Sequence, residues 1–169
     1  MGTVHLGLSL GHRTDRDAEH WLADNLPAGL PDLVVCTHNV PAPHPHVALS
    51  FAFEGRVDGL PEVEPDFRAA ADEAAARHRD RLSGRAVHFP GISDLVGTLT
   101  AAEILELSAI ERVTVLASGD AAADAVVETQ NFVRPLWRDG RLELVLVPAV
   151  GGVFVPFESP NPIPCCADH

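Results

Sequence analysis

The spacing of apolar residues changes period along the chain. Val4 to Leu10 alternates apolar with small or polar residues, the two-residue period of a strand. Thr14-Asp15-Arg16-Asp17 then reads as a capping box. Ala18, Trp21, Leu22 and Leu26 recur on one face of the helix it opens, and Pro27 and Gly29 end that helix. Leu33 to Thr37 is a second strand. Asn39 to Pro45 is a proline-rich loop, and His46 to Phe53 alternates again through Val47, Leu49, Phe51 and Phe53. Gly55 to Glu64 carries Asp-Gly and Leu-Pro breakers. Pro65 suits the first position of a helix reaching Leu82, whose stripe is Phe67, Ala71, Ala74, His78 and Leu82. That stripe is mostly alanine, so the helix is expected to lie close on a sheet. Ser83-Gly84 stops it, and Arg85 to Phe89 is a fourth strand.

Strand, helix, strand, strand, helix, strand is the order of a ferredoxin-like split unit. The later residues behave differently. Thr100-Ala101-Ala102-Glu103 is a second capping box, opening a helix to Ala109, and Arg112 to Ala117 is a strand. Ser118 to Ala125 is a loop of small residues. Val126 to Trp137 and Arg141 to Val147 flank Asp139-Gly140, the strongest short hairpin signal. Gly151-Gly152 turns the chain into Val153 to Phe157. The expected fold class is therefore α+β: a ferredoxin-like βαββαβ order in residues 1–92, then a helix and an antiparallel β-meander in residues 93–158, extending or packing on the sheet. No Gly/Ser linker separates these halves, so residues 1–158 are expected as one domain. Residues 159–169 form a proline-rich tail.

Composition narrows the function. Asp and Glu number 24 against 12 basic residues, a net charge of −12 that repels phosphate and argues against nucleic acid and anionic membrane as partners. All the basic residues are arginine. Without lysine there is no Schiff-base or PLP-anchoring residue and no P-loop, and no other nucleotide-binding motif is present. No apolar run approaches the roughly 20 residues of a membrane span. The N-terminal residues lack the pattern of a secretory signal, and three cysteines, Cys36, Cys165 and Cys166, suit a reducing cytoplasm. The abundance of Ala, Arg, Gly and Pro is that of a GC-rich bacterial genome.

Chemistry concentrates in the histidines and the tail. Cys165, Cys166 and His169 place three metal-ligand side chains within the last five residues, at the end of a segment whose alternating prolines favour an extended rod. Thiolate with imidazole points to zinc first, and to copper or iron next. A split unit would also gather His12, Cys36, His38, His44 and His46 on one rim of its sheet, as a half-site that the tail completes. His5 and His88 are expected to meet at the opposite edge, with His20 and His78 on helices.

The function expected from these residues is a small soluble metal-binding protein. If one coordination position stays open, metal-dependent hydrolysis follows, with Glu or Asp as base. Two other functions fit the same sequence. One is a non-enzymatic interaction module that docks a protein partner through the proline-rich tail. The other is a small-molecule enzyme with a pocket between the halves, where Arg134, Trp137 and His12 would face the ligand. An apolar edge strand such as Val153 to Phe157 would invite a second copy and a homodimer.

Overall fold

The structure is a computed structural model and describes residues 2–160. These residues form three α-helices and a large, mostly antiparallel sheet. They divide into two compact units, residues 2–90 with Pro135–Leu142, and Gly91–Arg134 with residues 143–160. No helix among the described residues is long and apolar enough to cross a membrane.

The first unit runs β1 (Val4–His12), α1 (Asp15–Asn25), β2 (Val34–Val40), β3 (His46–Phe53), α2 (Arg68–Arg79), β4 (Arg85–His88) and, later in the chain, β9 (Leu136–Arg138). Both ends of α1 form as expected: the Thr14 hydroxyl accepts the Asp17 amide at 3.1 Å, and the helix stops before Pro27. The second helix is shorter than its stripe. Pro65–Phe67 is a separate 3-10 turn, and α2 ends at Arg79, ahead of Arg81 in a left-handed conformation at φ 52°.

The chain order is that of a split unit, but β4 lies beside β2. The sheet order is β1-β3-β2-β4-β9, whereas the ferredoxin-like arrangement would set β4 beside β1. This decides where the helices go. β1 and β2 are both antiparallel to β3, so they are parallel to each other across it. β3 and β4 are likewise parallel across β2. The two crossovers step the same way along the sheet from oppositely directed strands. Right-handed connections then put α1 and α2 on opposite faces.

The packing agrees with that derivation. Val47, Leu49, Phe51 and Phe53 of β3 pack with Ala18 and Leu22 of α1, together with Leu8, Leu33, Val35 and Val87. The intervening Ala48 packs with Ala70 and Ala74 of α2. Covered on both faces, β3 is buried along its whole length rather than on alternate residues. The two faces differ chemically. The α1 face is aliphatic and aromatic. The α2 face carries Gly7, Ser9, Cys36, His38, Ala48 and Ser50, against a helix whose buried residues are Ala70, Ala71, Ala74 and His78. A Cβ on Gly7 would stand 1.7 Å from the Ala71 carbonyl oxygen, so the helix backbone rests directly on β1.

The second unit contains β5 (Thr98–Thr100), α3 (Ala101–Leu107), β6 (Arg112–Val115), β7 (Gly119–Asp120), β8 (Val126–Glu128), β10 (Arg141–Pro148, from Glu143) and β11 (Phe154–Pro156). Its buried residues include Leu95, Ile104, Ile110, Val113, Val127, Leu144 and Leu146. Thr100 caps α3 by accepting the Glu103 amide at 3.2 Å. The Asp139-Gly140 turn forms with both residues at positive φ, as a tight hairpin requires.

Three expectations change in this part of the chain. Val126 to Trp137 is not one strand, because Gln130 and Asn131 take left-handed conformations that break it between β8 and β9. The meander is not purely antiparallel, since β6 pairs parallel with β10 and β11 pairs parallel with β8. The segment Val153 to Phe157 is no edge either. Its strand β11 is paired on both sides, by β10 and β8.

Candidate functional site

The α2 face of the first unit holds the polar chemistry of the described residues. Ser50 projects from the middle of β3, where strand alternation turns it away from the α1 core. Its Oγ lies 2.7 Å from His38 Nε2 on β2 and 2.7 Å from His78 Nδ1 on α2. All three residues are buried. A hydroxyl has one proton, so it donates to one imidazole and accepts from the other. Among the described residues His38 Nδ1 is buried with no hydrogen-bond partner. A bare nitrogen lone pair costs less there than a stranded N–H. The favoured assignment is therefore His38 Nε2–H donating to Ser50, and Ser50 O–H donating to His78 Nδ1.

Cys36 and Trp137 close this network. The Cys36 thiol is fully buried, which pushes it up to about 12, although the Trp137 indole and Ser50 hydroxyl beside it act weakly in the other direction. Trp137 Nε1 is buried with no hydrogen-bond partner among the described residues. The Trp137 ring lies 6.0 Å from His78, with the Arg81 guanidinium 4.9 Å from its centre. Gly84 finishes the cover. At φ 141° it takes a conformation side chains avoid, and a Cβ there would meet His38 Cε1 at 2.9 Å and Cys36 Cβ at 3.1 Å.

Burial also sets the charge state. His38 is lowered to about 4, mainly by desolvation and then by Arg77. His78 is lowered to about 3 by desolvation, with His5, His38 and Arg81 adding to it. Both imidazoles are neutral at pH 7. The half-buried His5 meets His78 edge-on at 5.3 Å, not His88, which sits across from Val35 on β4 three strands away.

A second group lies where β1 ends and β3 begins. His46 donates from Nδ1 to the His44 carbonyl at 2.7 Å and accepts the Ser9 hydroxyl on Nε2 at 2.6 Å, so both of its nitrogens are engaged. The His44 and His46 rings stand 5.3 Å apart, and both pack edge-on against Phe67. His12 is close enough for His46 to help lower its pKa, after desolvation, and packs near Trp21. Its Nδ1 is buried with no hydrogen-bond partner among the described residues, whereas His44 is exposed.

The expected rim is thus gathered in part. His12, His44 and His46 come together. Cys36 and His38 lie further along β2, beneath α2, tied into the Ser50 network. Among the described residues no three or more His, Cys, Asp or Glu side chains are grouped to hold a metal ion. Cys165, Cys166 and His169 lie outside the described residues. Trp137 belongs to the first unit, where it covers Cys36. Arg134 belongs to the second, stacking 4.0 Å over Phe132 and donating to the Val133 carbonyl.

No family model, no curated protein and no solved structure matches this chain. The site therefore speaks only through its own residues. Two of them, Ser50 and His78, are absent from the candidates read from sequence. The signal is nonetheless present: the alternation of β3 turns Ser50 away from Phe51, and the α2 stripe runs through His78.

Proposed function

We propose that this protein binds a thiophilic transition metal, zinc foremost and copper or iron next, through Cys165, Cys166 and His169. The observation that carries this reading is the spacing of the three donors, all within the last five residues. Rim imidazoles are the natural fourth ligands. His12 and His44 have nitrogens outside any hydrogen bond described above, whereas both nitrogens of His46 are taken. His38 and Cys36 are excluded from this set because the Ser50 network and α2 hold them in the interior. A reducing cytoplasm would keep adjacent cysteines available to a metal.

The test is metal content of the full chain, purified without an affinity tag and dialysed against zinc. About one equivalent of bound zinc is expected. Cys165→Ser/Cys166→Ser should abolish it, and His12→Ala/His44→Ala should weaken it by the 10-fold or more that losing a ligand brings. Metal content under a tenth of an equivalent, unchanged in the cysteine variant, overturns the proposal.

A further inference from the structure

The strand β1 is an edge of the sheet. It spans nine residues and pairs with β3 alone among the described residues, so its other side presents a row of backbone N–H and C=O groups. Natural edge strands avoid self-association through charge, proline, shortness or bulges. Val4-His5-Leu6-Gly7-Leu8-Ser9-Leu10-Gly11-His12 contains no Asp, Glu, Arg or Pro. A register irregularity lies between Leu8 and His12, which leaves Val4–Leu8 regular and open. By contrast, β5 and β7 are three and two residues long.

We infer that two copies of this chain pair through Val4–Leu8 of β1, antiparallel and edge to edge, about a two-fold axis. Two observations select a second copy as the occupant. The first is charge. The chain carries −12 overall, and most of its surface would repel a copy of itself, but β1 bears no formal charge. A basic partner strand, for its part, would find no carboxylate on β1 to recognise. The second is continuity with the core. Val4 and Leu6 share a face with Leu8, which belongs to the aliphatic core, yet they are 37% and 38% exposed. A two-fold pairing sets Val4 and Leu6 beside the same residues of the other copy and continues that apolar layer across the interface. The contact is isologous and closes at two chains.

The experiment is light scattering after size exclusion on the full chain, from low to high micromolar concentration, with amide hydrogen exchange on the same samples. The expected mass is twice 18.0 kDa at the upper end. Val4–Leu8 amides should be protected in a concentration-dependent way. Leu6→Lys places like charges close to the axis and should raise the dissociation constant at least 10-fold while leaving far-ultraviolet circular dichroism unchanged. If Leu6→Lys fails to fold, Val4→Lys carries the same expectation at the strand's exposed end. A single-chain mass throughout the range overturns the inference, including the case where Val4–Leu8 amides are protected in the monomer. So does a dimer that persists in the lysine variant with those amides exchanging freely.

Discussion

Ser50 and His78 are joined by a 2.7 Å hydrogen bond between the buried centre of β3 and the last turn of α2. The other buried residues of the helix are alanines, and its half-buried Arg77 donates to the Asn39 carbonyl on β2 at 3.0 Å, so the bond to Ser50 is the polar anchor among its buried residues. Ser50→Ala would strand nitrogens on both His38 and His78, because the same hydroxyl serves both. Each buried group left unpaired costs about 1–3 kcal/mol. Ser50→Ala should therefore lower stability by about 2–6 kcal/mol in urea denaturation. A variant within 0.5 kcal/mol of wild type, on the order of an ordinary surface substitution, would show the bonds to be dispensable.

Acid should destabilise the first unit steeply. His38 and His78 have pKa values of about 4 and about 3 in the folded chain, against 6.5 for the free side chain. Between pH 6.5 and about 4 the unfolded chain binds more protons, so stability falls as pH falls and is fully present above 6.5. Two such groups lose on the order of 3 kcal/mol per pH unit in this window, or roughly 4 kcal/mol by pH 5. Chemical denaturation at pH 7.5 and pH 5 measures the difference. His78→Leu should reduce the slope by about half. An equal slope in that variant would assign the acid sensitivity to other groups.

Gly7 is required by proximity. A methyl group at this position would overlap the Ala71 carbonyl oxygen, which is helix backbone and cannot rotate away. Gly7→Ala should cost about 3 kcal/mol or more, at or beyond the upper end for overpacking. Gly29→Ala is a control for general glycine effects, since a Cβ there meets nothing within 4 Å and only the positive φ is strained. Thermal melts of the two variants should differ clearly, with Gly7→Ala the lower. Equal melting temperatures would contradict the close helix contact.

Cys36 should be chemically silent in the native state. It is fully buried and its thiol is pushed up to about 12, so almost no thiolate exists at pH 8. In a Cys165→Ser/Cys166→Ser background, a disulfide reagent should modify less than a tenth of the protein until urea is added, and then about one thiol per chain. Rapid labelling without denaturant would place Cys36 at the surface.

Much of the local structure was legible in the residue pattern. The caps at Thr14 and Thr100, the Asp139-Gly140 turn and the alternation of β3 depend on neighbours a few residues apart, and so does the inward position of His78. These are matters of backbone geometry and side-chain period. The residues themselves also determined that the chain is acidic, lacks lysine and ends in Cys-Cys-Ala-Asp-His. The sheet order was not legible, because β4 finds β2 through pairing between residues about fifty positions apart, and either edge of the sheet satisfies the same local pattern. That one choice put α1 and α2 on opposite faces and buried β3 on both sides. It drew Cys36 and His38 into the interior beside Ser50, leaving His12, His44 and His46 together at the rim. Periodicity states which side of a strand a residue occupies, and only the assembled layers decide what covers that side.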